Sequence, residues 1–520
     1  MNQKCGKNLT FEECQMIILQ NAVKENEKFI GEKLIQTEDI KKIISILEFF
    51  LIKKKLICYG GTAINNILPK KIQFYNRDVE VSDYDFYSKN ALQDTKELAD
   101  IYYLEGYKDV EAKSGVHEGT FKLYVNFISI ADITQLNPII FDNLLKESIT
   151  VAGIKYASPN FLRMGIYLEL SRPHGDVSRW EKIFKRLELL NKVYPLNQRT
   201  CNPFFHQSLH NQKLTNSRKN ITKKTHTIKQ EQKETLFYTV RNSFIEQEAV
   251  FFGSFAFSMY DHFATGKKIE NLHPDFSVII EDIERCFIIL KDKLIENGFT
   301  KIIKIKHEKI GELVPEKIEV KVDNNTICHI YKPIACHNYN KIFFGKYEIN
   351  IATVDTIFSF YFALIYSKNI NYKNKYYLER QKEKLLCMSS FLFNYQEKNK
   401  LKIDGIFKRY TLTCIGKQST IEEIRVLKNE KFKELKNKKN TKEYELLFLK
   451  YDPSLHFQNN KQSFSMHEEY IKYKIKSSKK IDDDNKITNS KTKTKTQKIP
   501  KKRKAKKKQI TKKRYAWQMV

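Results

Sequence analysis

The spacing of apolar residues predicts three kinds of territory. Residues 1–55 read as helix: an apolar stripe runs through 11–34, and a second follows in Ile40, Ile43, Ile44, Ile46, Leu47, Phe50 and Leu51. From 56 to 135 the pattern alternates between strand and helix. An apolar strand at 56–59 runs into a glycine turn, an alternating strand covers 81–87, a helix lies near 91–104, and strands cross 107–113 and 120–134. Helix returns over 160–195, where Ser178-Arg179-Trp180-Glu181 reads as a capping box. Behind it Trp180, Ile183, Phe184, Leu187 and Leu190 form one stripe. Residues 206–235 are polar and nearly without periodicity, which predicts a linker or surface insertion. A second α/β segment opens at 236 and continues as mainly helical sequence to 470. The Lys-rich stretch 471–520 predicts a disordered tail.

Two motifs in the first α/β segment carry chemistry. Tyr59-Gly60-Gly61-Thr62 joins a strand to a helix, and paired glycines let the backbone approach a polyphosphate at a helix N-terminus. In Val81-Ser82-Asp83-Tyr84-Asp85-Phe86-Tyr87, strand alternation puts Asp83 and Asp85 on one face and Tyr84 and Phe86 on the other. Side-by-side carboxylates repel unless a cation lies between them, and hard oxygen donors suit Mg²⁺ or Mn²⁺. Asp132, inside the apolar run 127–133, is a third ligand candidate, or else a solvated Asp at a strand end. Asp-x-Asp alone also occurs in surface turns and in glycosyltransferases that use nucleotide sugars. Strand, Gly-Gly-Thr, helix and then an Asp-x-Asp strand is a far narrower combination. Arg172, Arg179 and Lys182 are weaker candidates for phosphate or RNA contact, with Lys185 and Arg186 on the same helix.

The second segment echoes the first. Phe251-Phe252-Gly253-Ser254-Phe255-Ala256 parallels Cys58-Tyr59-Gly60-Gly61-Thr62-Ala63, and Asp275-Phe276-Ser277 falls where Asp83-Tyr84-Asp85 would. The Gly-to-Asp interval is 23 residues in the first case and 22 in the second. A degenerate copy of one fold is expected, without the metal pair because Ser277 replaces a carboxylate.

Composition narrows the functional classes. The 520-residue chain carries a net charge of +31, and residues 471–520 hold 20 basic against three acidic side chains, a net of +17. Such a tail suits a polyanion partner. Its Pro500-Lys501-Lys502-Arg503-Lys504 reads as a nuclear signal or as part of an RNA tether. No apolar run is long enough to span a bilayer, and no signal peptide is visible. Nine scattered cysteines suggest reduced thiols. Cys328-His329 and Cys336-His337 match no structural zinc spacing. Hydrolase motifs of the G-x-S-x-G and H-E-x-x-H types are absent.

These motifs together resemble the polymerase-β-like nucleotidyltransferase superfamily. More closely, Tyr59–Asn65, Ser82–Phe86 and Tyr167-Leu168-Glu169-Leu170-Ser171-Arg172-Pro173-His174-Gly175-Asp176 through Lys182 resemble the poly(A) polymerase catalytic subunit family of poxviruses and other large cytoplasmic DNA viruses. The resemblance covers residues 56–195 best, together with the tandem architecture. It implies an α+β or α/β catalytic nucleotidyltransferase domain (56–205) and a degenerate second copy within 236–470. It also implies ATP as substrate, an RNA 3′-OH as acceptor, two Mg²⁺ or Mn²⁺ ions, and Asp83, Asp85 and Asp132 as ligands. Gly60, Gly61 and Thr62 would hold the nucleotide. Expected partners are RNA and either a second copy of the chain or a viral processivity subunit, with no membrane. The expected location is the host cytoplasm and the virion. Another RNA or small-acceptor nucleotidyltransferase, for instance one that transfers uridylyl groups, and an inactive RNA-binding scaffold are the alternatives.

Overall fold

The structure is a computed structural model that describes residues 10–35, 37–75, 84–196, 223–266, 275–311, 313–367, 385, 388–389, 404–439, 441–457 and 462–476. Two compact units divide the chain at residue 463. The first contains both α/β segments; the described part of the second, through residue 476, is helical. The tail expected to begin at 471 therefore opens with helix, and residues 477–520 lie outside the described residues.

The first sheet contains β1 (Ile57–Tyr59), β2 (Tyr84–Ser88), β3 (Val110–Ser114), β4 (Thr120–Val125), β5 (Ile128–Gln135), β6 (Ile149–Val151) and β7 (Ile154–Tyr156). The late strand β16 (Lys450–Tyr451) completes it at one edge, in the order β16-β3-β4-β5-β2-β1-β7-β6. The strand read across 120–134 is a hairpin, broken by the positive backbone angles of Asn126 and Phe127. Helices α1 (Phe11–Ile35) and α2 (Glu38–Lys54) precede the sheet, and α3 (Gly60–Ile67) and α4 (Ala91–Leu104) lie within the sheet's run of strands. The Thr37 hydroxyl accepts from the Ile40 N–H to start α2, whose buried Ile43, Leu47 and Phe50 form part of the core.

The second sheet contains β8 (Val250–Phe252), β9 (Phe276–Ile279), β10 (Ile302–His307), β11 (Lys317–Val322), β12 (Asn325–Tyr331), β13 (His337–Phe344), β14 (Tyr347–Ala352) and β15 (Cys414–Ile415). Its order is β10-β11-β12-β9-β8-β14-β13-β15. Over seven strands, β3 to β6 in the first and β10 to β13 in the second, the two orders correspond, with β16 and β15 added at opposite edges, and the two parallel pairs recur: β1 with β7 and β2 with β5, then β8 with β14 and β9 with β12. The degenerate copy expected from the glycine echo is present as a whole sheet. The helix Lys223–Glu246 that leads into it begins inside the stretch expected to be a linker; residues 197–222 lie outside the described residues.

The halves meet through α5 (Pro138–Glu147), α6 (Pro159–Leu170) and the helix Val354–Tyr366. The latter is buried nearly all round, which explains an apolar run too short for a bilayer. Tyr167 sets its ring against Phe358 and Phe362, at 5.1 and 6.2 Å between centroids. The Ser158 and Tyr366 hydroxyls share a 2.6 Å hydrogen bond, and the Asn338 N–H donates to the Ser171 carbonyl. Among the described residues, no helix is long and apolar enough to cross a membrane.

Helix α7 (Trp180–Val193) corrects one local expectation. Asp176, not Ser178, caps the turn before it by accepting from the Ser178 N–H, and Glu181 pairs with Lys185 instead of closing a capping box. The stripe is as expected: Ile183, Leu187 and Leu190 are buried, while Trp180 and Phe184 pack on Tyr410 of the second half. A buried arginine locks α7 to α6. Arg163 donates to Asn191, Asn160 and the Leu190 carbonyl at 2.7–3.1 Å, and to the Tyr194 carbonyl. The expectation of reduced thiols fails for Cys336 and Cys414, which form a disulfide, and for Cys14, which is also disulfide-bonded. Seventy-eight residues apart, Cys336 and Cys414 meet because β15 pairs with β13.

Candidate active site

Strand β1 ends at Tyr59 and the chain turns at once into α3. Gly60 has a φ of +71°, and a Cβ there would stand 2.3 Å from Asp85 Oδ2, so both backbone angle and space call for glycine. At Gly61 a Cβ would meet the Tyr75 hydroxyl at 2.8 Å and both terminal nitrogens of Arg186 at 3.0 Å. The side chain of the N-cap residue, Tyr59, makes no capping hydrogen bond to α3, whose N-terminus carries the positive end of the helix dipole. Thr62 is buried within that first turn.

Along β2 burial alternates: Tyr84, Phe86 and Ser88 point into the core, and Asp85 and Tyr87 face the other way. The register sets Asp85 opposite Tyr59 on β1 and opposite Asp132 on β5. Partnered residues on neighbouring strands project to the same face, so Asp85 and Asp132 share it. Asp83 precedes the strand and lies outside the described residues.

Sequence reasoning missed three features of this face and left a fourth, Arg186, undistinguished among the basic residues of its helix. First, Lys122 on β4 lies opposite Asp132 and donates to both of its oxygens, at 2.6 and 2.9 Å. Its alternation with Phe121 and Leu123 was a readable signal. Second, Tyr59 and Tyr87 stack at 3.9 Å, and the Tyr59 hydroxyl shares a 2.9 Å hydrogen bond with Thr134. Desolvation and the charge of Asp85 raise the Tyr59 phenol above its ordinary pKa; desolvation, Tyr59 and Asp85 do the same to Tyr87. Both rings stay neutral and wall one side of the carboxylates.

Third, Asn65 turns out to be a positioning residue. Its carbonyl oxygen accepts from the Phe74 and Tyr75 N–H groups, both at 2.8 Å. Fourth, those two rings hold Arg186, whose guanidinium lies 5.1 Å from the Phe74 centroid and 5.6 Å from that of Tyr75 and donates to the Tyr75 hydroxyl at 2.6 Å. Arg186 is 8% exposed, so a fixed cation stands at the glycine turn. The other basic candidates have different surroundings. Arg179 pairs with Glu169 at 3.7 Å, Lys182 is exposed on α7, and Arg172 acts electrostatically on the buried His337, whose pKa falls to about 3 mainly through desolvation.

The second sheet repeats the backbone and changes the chemistry. Gly253 has a φ of +84° and a Cβ there would meet the Ser277 side chain at 3.1 Å, as Gly60 meets Asp85. Ser277 is opposite Phe252 and His329, the places of Tyr59 and Asp132. Opposite His329 stands Glu319, where the first sheet has Lys122.

Residues 45–176 match the family described as the poly(A) polymerase catalytic subunit. The chain resembles that family. A relative from African swine fever virus, provisionally named a poly(A) polymerase catalytic subunit, is 34% identical over 164 residues, which is 30% of this chain and 34% of the relative. A mimivirus relative with the same provisional name is 34% identical over 161 residues, 30% of this chain and 27% of its own. The chain thus matches only about a third of the length of these curated relatives. The fold extends much further: the Megavirus polyadenylate synthase superposes over 91% of this chain and 92% of its own, with a TM-score of 0.68 at 20% identity. The mixed α/β fold, repeated in tandem, is that of a viral polyadenylate synthase.

Proposed function

We propose that this chain is a template-independent poly(A) polymerase that moves AMP from ATP to an RNA 3′ end. The observation that carries this is the register of Asp85 against Asp132, beside the glycine turn that opens α3. The two carboxylates offer hard oxygens on one face, and the Lys122 ammonium on both oxygens of Asp132 supports the reading that this face suits a cation. Asp85 and Asp132, with Asp83 from the preceding segment, would hold Mg²⁺ or Mn²⁺. When bound there, such ions would supply Lewis-acid stabilisation of the charge on the α-phosphate and of the attacking oxygen. The first-turn amides of α3 and the Arg186 guanidinium bind the ATP phosphates. Asp132 orients the 3′-hydroxyl, which bonds to the α-phosphorus as pyrophosphate leaves. Tyr59 and Tyr87 keep water from one side of the reacting groups.

Incubation of the full chain with a short RNA and each nucleoside triphosphate in turn tests this. Extension by ATP alone is expected. Extension by UTP would favour uridylyl transfer, and no extension with any nucleotide would favour an RNA-binding scaffold. The Lys-rich tail is proposed to tether RNA by counterion release. Removing residues 471–520 should weaken RNA binding and flatten its salt dependence; unchanged binding across salt concentrations would rule the tether out. A processivity subunit or a second copy of the chain is the further partner proposed, and analytical ultracentrifugation at micromolar concentration distinguishes the latter.

A further inference from the structure

Three donors from distant parts of the chain converge at the edge where the halves meet. Cys336 precedes β13, Cys414 lies in β15, and His174 lies in the turn after α6. One donor atom from each falls within 4.8 Å of the others, and His174 Nδ1 is 3.8 Å from Cys414 Sγ. The backbone builds this meeting. Asn338, opposite Cys414 on β13, donates its N–H to Ser171 at 2.8 Å and so ties the His174 turn to that strand. The turn itself is closed by the Gly175 N–H on the Arg172 carbonyl. After Cys414, Gly416 has a φ of +90° and comes so close to Pro333 and Ala335 that a Cβ would stand 2.3 Å from the Ala335 carbonyl, which presses β15 onto the Cys336 segment. His337, next in sequence, packs on Phe360 at 5.0 Å and takes no part.

We infer that, once reduced, Cys336 and Cys414 join His174 in binding one Zn²⁺, in a Cys₂His site with a fourth corner open to water. The ligand lengths of zinc place a tetrahedral sulfur and nitrogen about 3.6 Å apart, close to the separation found here. Two thiolates and an imidazole are the soft-to-borderline set that selects zinc. Cys336 is buried, Cys414 half-buried and His174 exposed, so the ion enters from the histidine side. The chemistry balances. A dithiol reductant gives two electrons and two protons to the disulfide and is itself oxidised to a disulfide; the two protein thiols then release two protons as they take the metal. The disulfide ties β13 to β15 within the second half, whereas zinc also captures His174 from the first. The two states therefore differ in whether the turn after α6 is clamped across the halves.

The test uses the full chain, reduced with dithiothreitol, stripped with a chelator and titrated anaerobically with CoCl₂ and then ZnCl₂. One equivalent of Co²⁺ should produce a thiolate-to-cobalt charge-transfer band that Zn²⁺ removes. The oxidised chain and the Cys336→Ser/Cys414→Ser variant should lack it. His174→Asn, on an exposed turn that keeps both thiols, should weaken Zn²⁺ binding at least about tenfold. No band in the reduced chain, a band that persists in the double serine variant, or unchanged affinity in His174→Asn would each overturn the site. None of these readouts depends on nucleotide incorporation.

Discussion

The two sheets share strand order, parallel pairs and a left-handed glycine, yet they fill matching positions with opposite chemistry. Where the first has Asp85, Asp132 and Lys122, the second has Ser277, His329 and Glu319. The second sheet shows that this backbone closes without clustered carboxylates. Its polar face is satisfied internally: Glu319 meets His307 at 3.1 Å and accepts from Thr326 at 2.7 Å, while burial drops the His329 pKa to about 3 and keeps it neutral. The acidic face of the first sheet is therefore not a requirement of the fold, and like-charged neighbours there cost stability unless a cation offsets them. What the comparison teaches is that the first copy gathers carboxylates that the fold does not need, one of them held by Lys122.

The strongest way to break this contrast is to remove the acids. Asp85→Ala should lower ATP incorporation by about a thousandfold or more, the effect of several kcal/mol of transition-state stabilisation. Ser277→Ala should leave it unchanged; equal losses at both positions would erase the distinction between the copies. Next comes the glycine turn. Gly60→Ala forces a Cβ toward Asp85 Oδ2 and adds about 1–2 kcal/mol of backbone strain, so activity should fall at least about tenfold. The same change at Gly253 has similar strain and should appear only as a lower thermal midpoint. Arg186→Gln should raise the KM for ATP about tenfold with circular dichroism unchanged, because it removes a charge-assisted phosphate contact.

The smallest expected effect concerns pH. Lys317 in the second sheet is buried against the Tyr331 ring, and desolvation lowers its pKa to about 7. Unfolded, it binds its proton up to about pH 10.4. Between these values the unfolded chain holds more protons, so this residue makes stability rise with pH across that window and is most costly below pH 7. Lys317→Met should raise the urea midpoint at pH 6 by more than at pH 9. A uniform shift at both values would show that the lysine is charged in the folded state.

The sequence disclosed most of the scaffold and the acidic half of the site. Glycine turn and alternation placed Tyr59, Gly60 and Asp85 correctly in strand and helix, because these depend on residues adjacent in the chain. The pairing of Asp85 with Asp132 needed a parallel register that no local pattern specifies. Arg186 was harder still. It reads as one of several basic residues on an amphipathic helix, and only its burial against Phe74 and Tyr75, ordered by Asn65, sets it apart. Ser178-Arg179-Trp180-Glu181 misled because Asp176 competes for the same turn. Cys336 beside His337 reads as no zinc spacing, because its meeting with Cys414 depends on strand pairing across 78 residues and that of His174 with Cys414 on packing across 240.

The edge strand β16 has a consequence for how this polypeptide comes into being. Lys450 and Tyr451 pair with Lys113 and Ala112, and Tyr451 and Ser463 donate to the buried carboxylate of Asp100. A nascent chain paused anywhere before residue 450 would leave β3 with a bare margin and Asp100 without these donors. Maturation of the acidic sheet thus awaits synthesis through residue 463, and nonsense truncations upstream of 450 should yield a product that aggregates rather than a shorter folded chain.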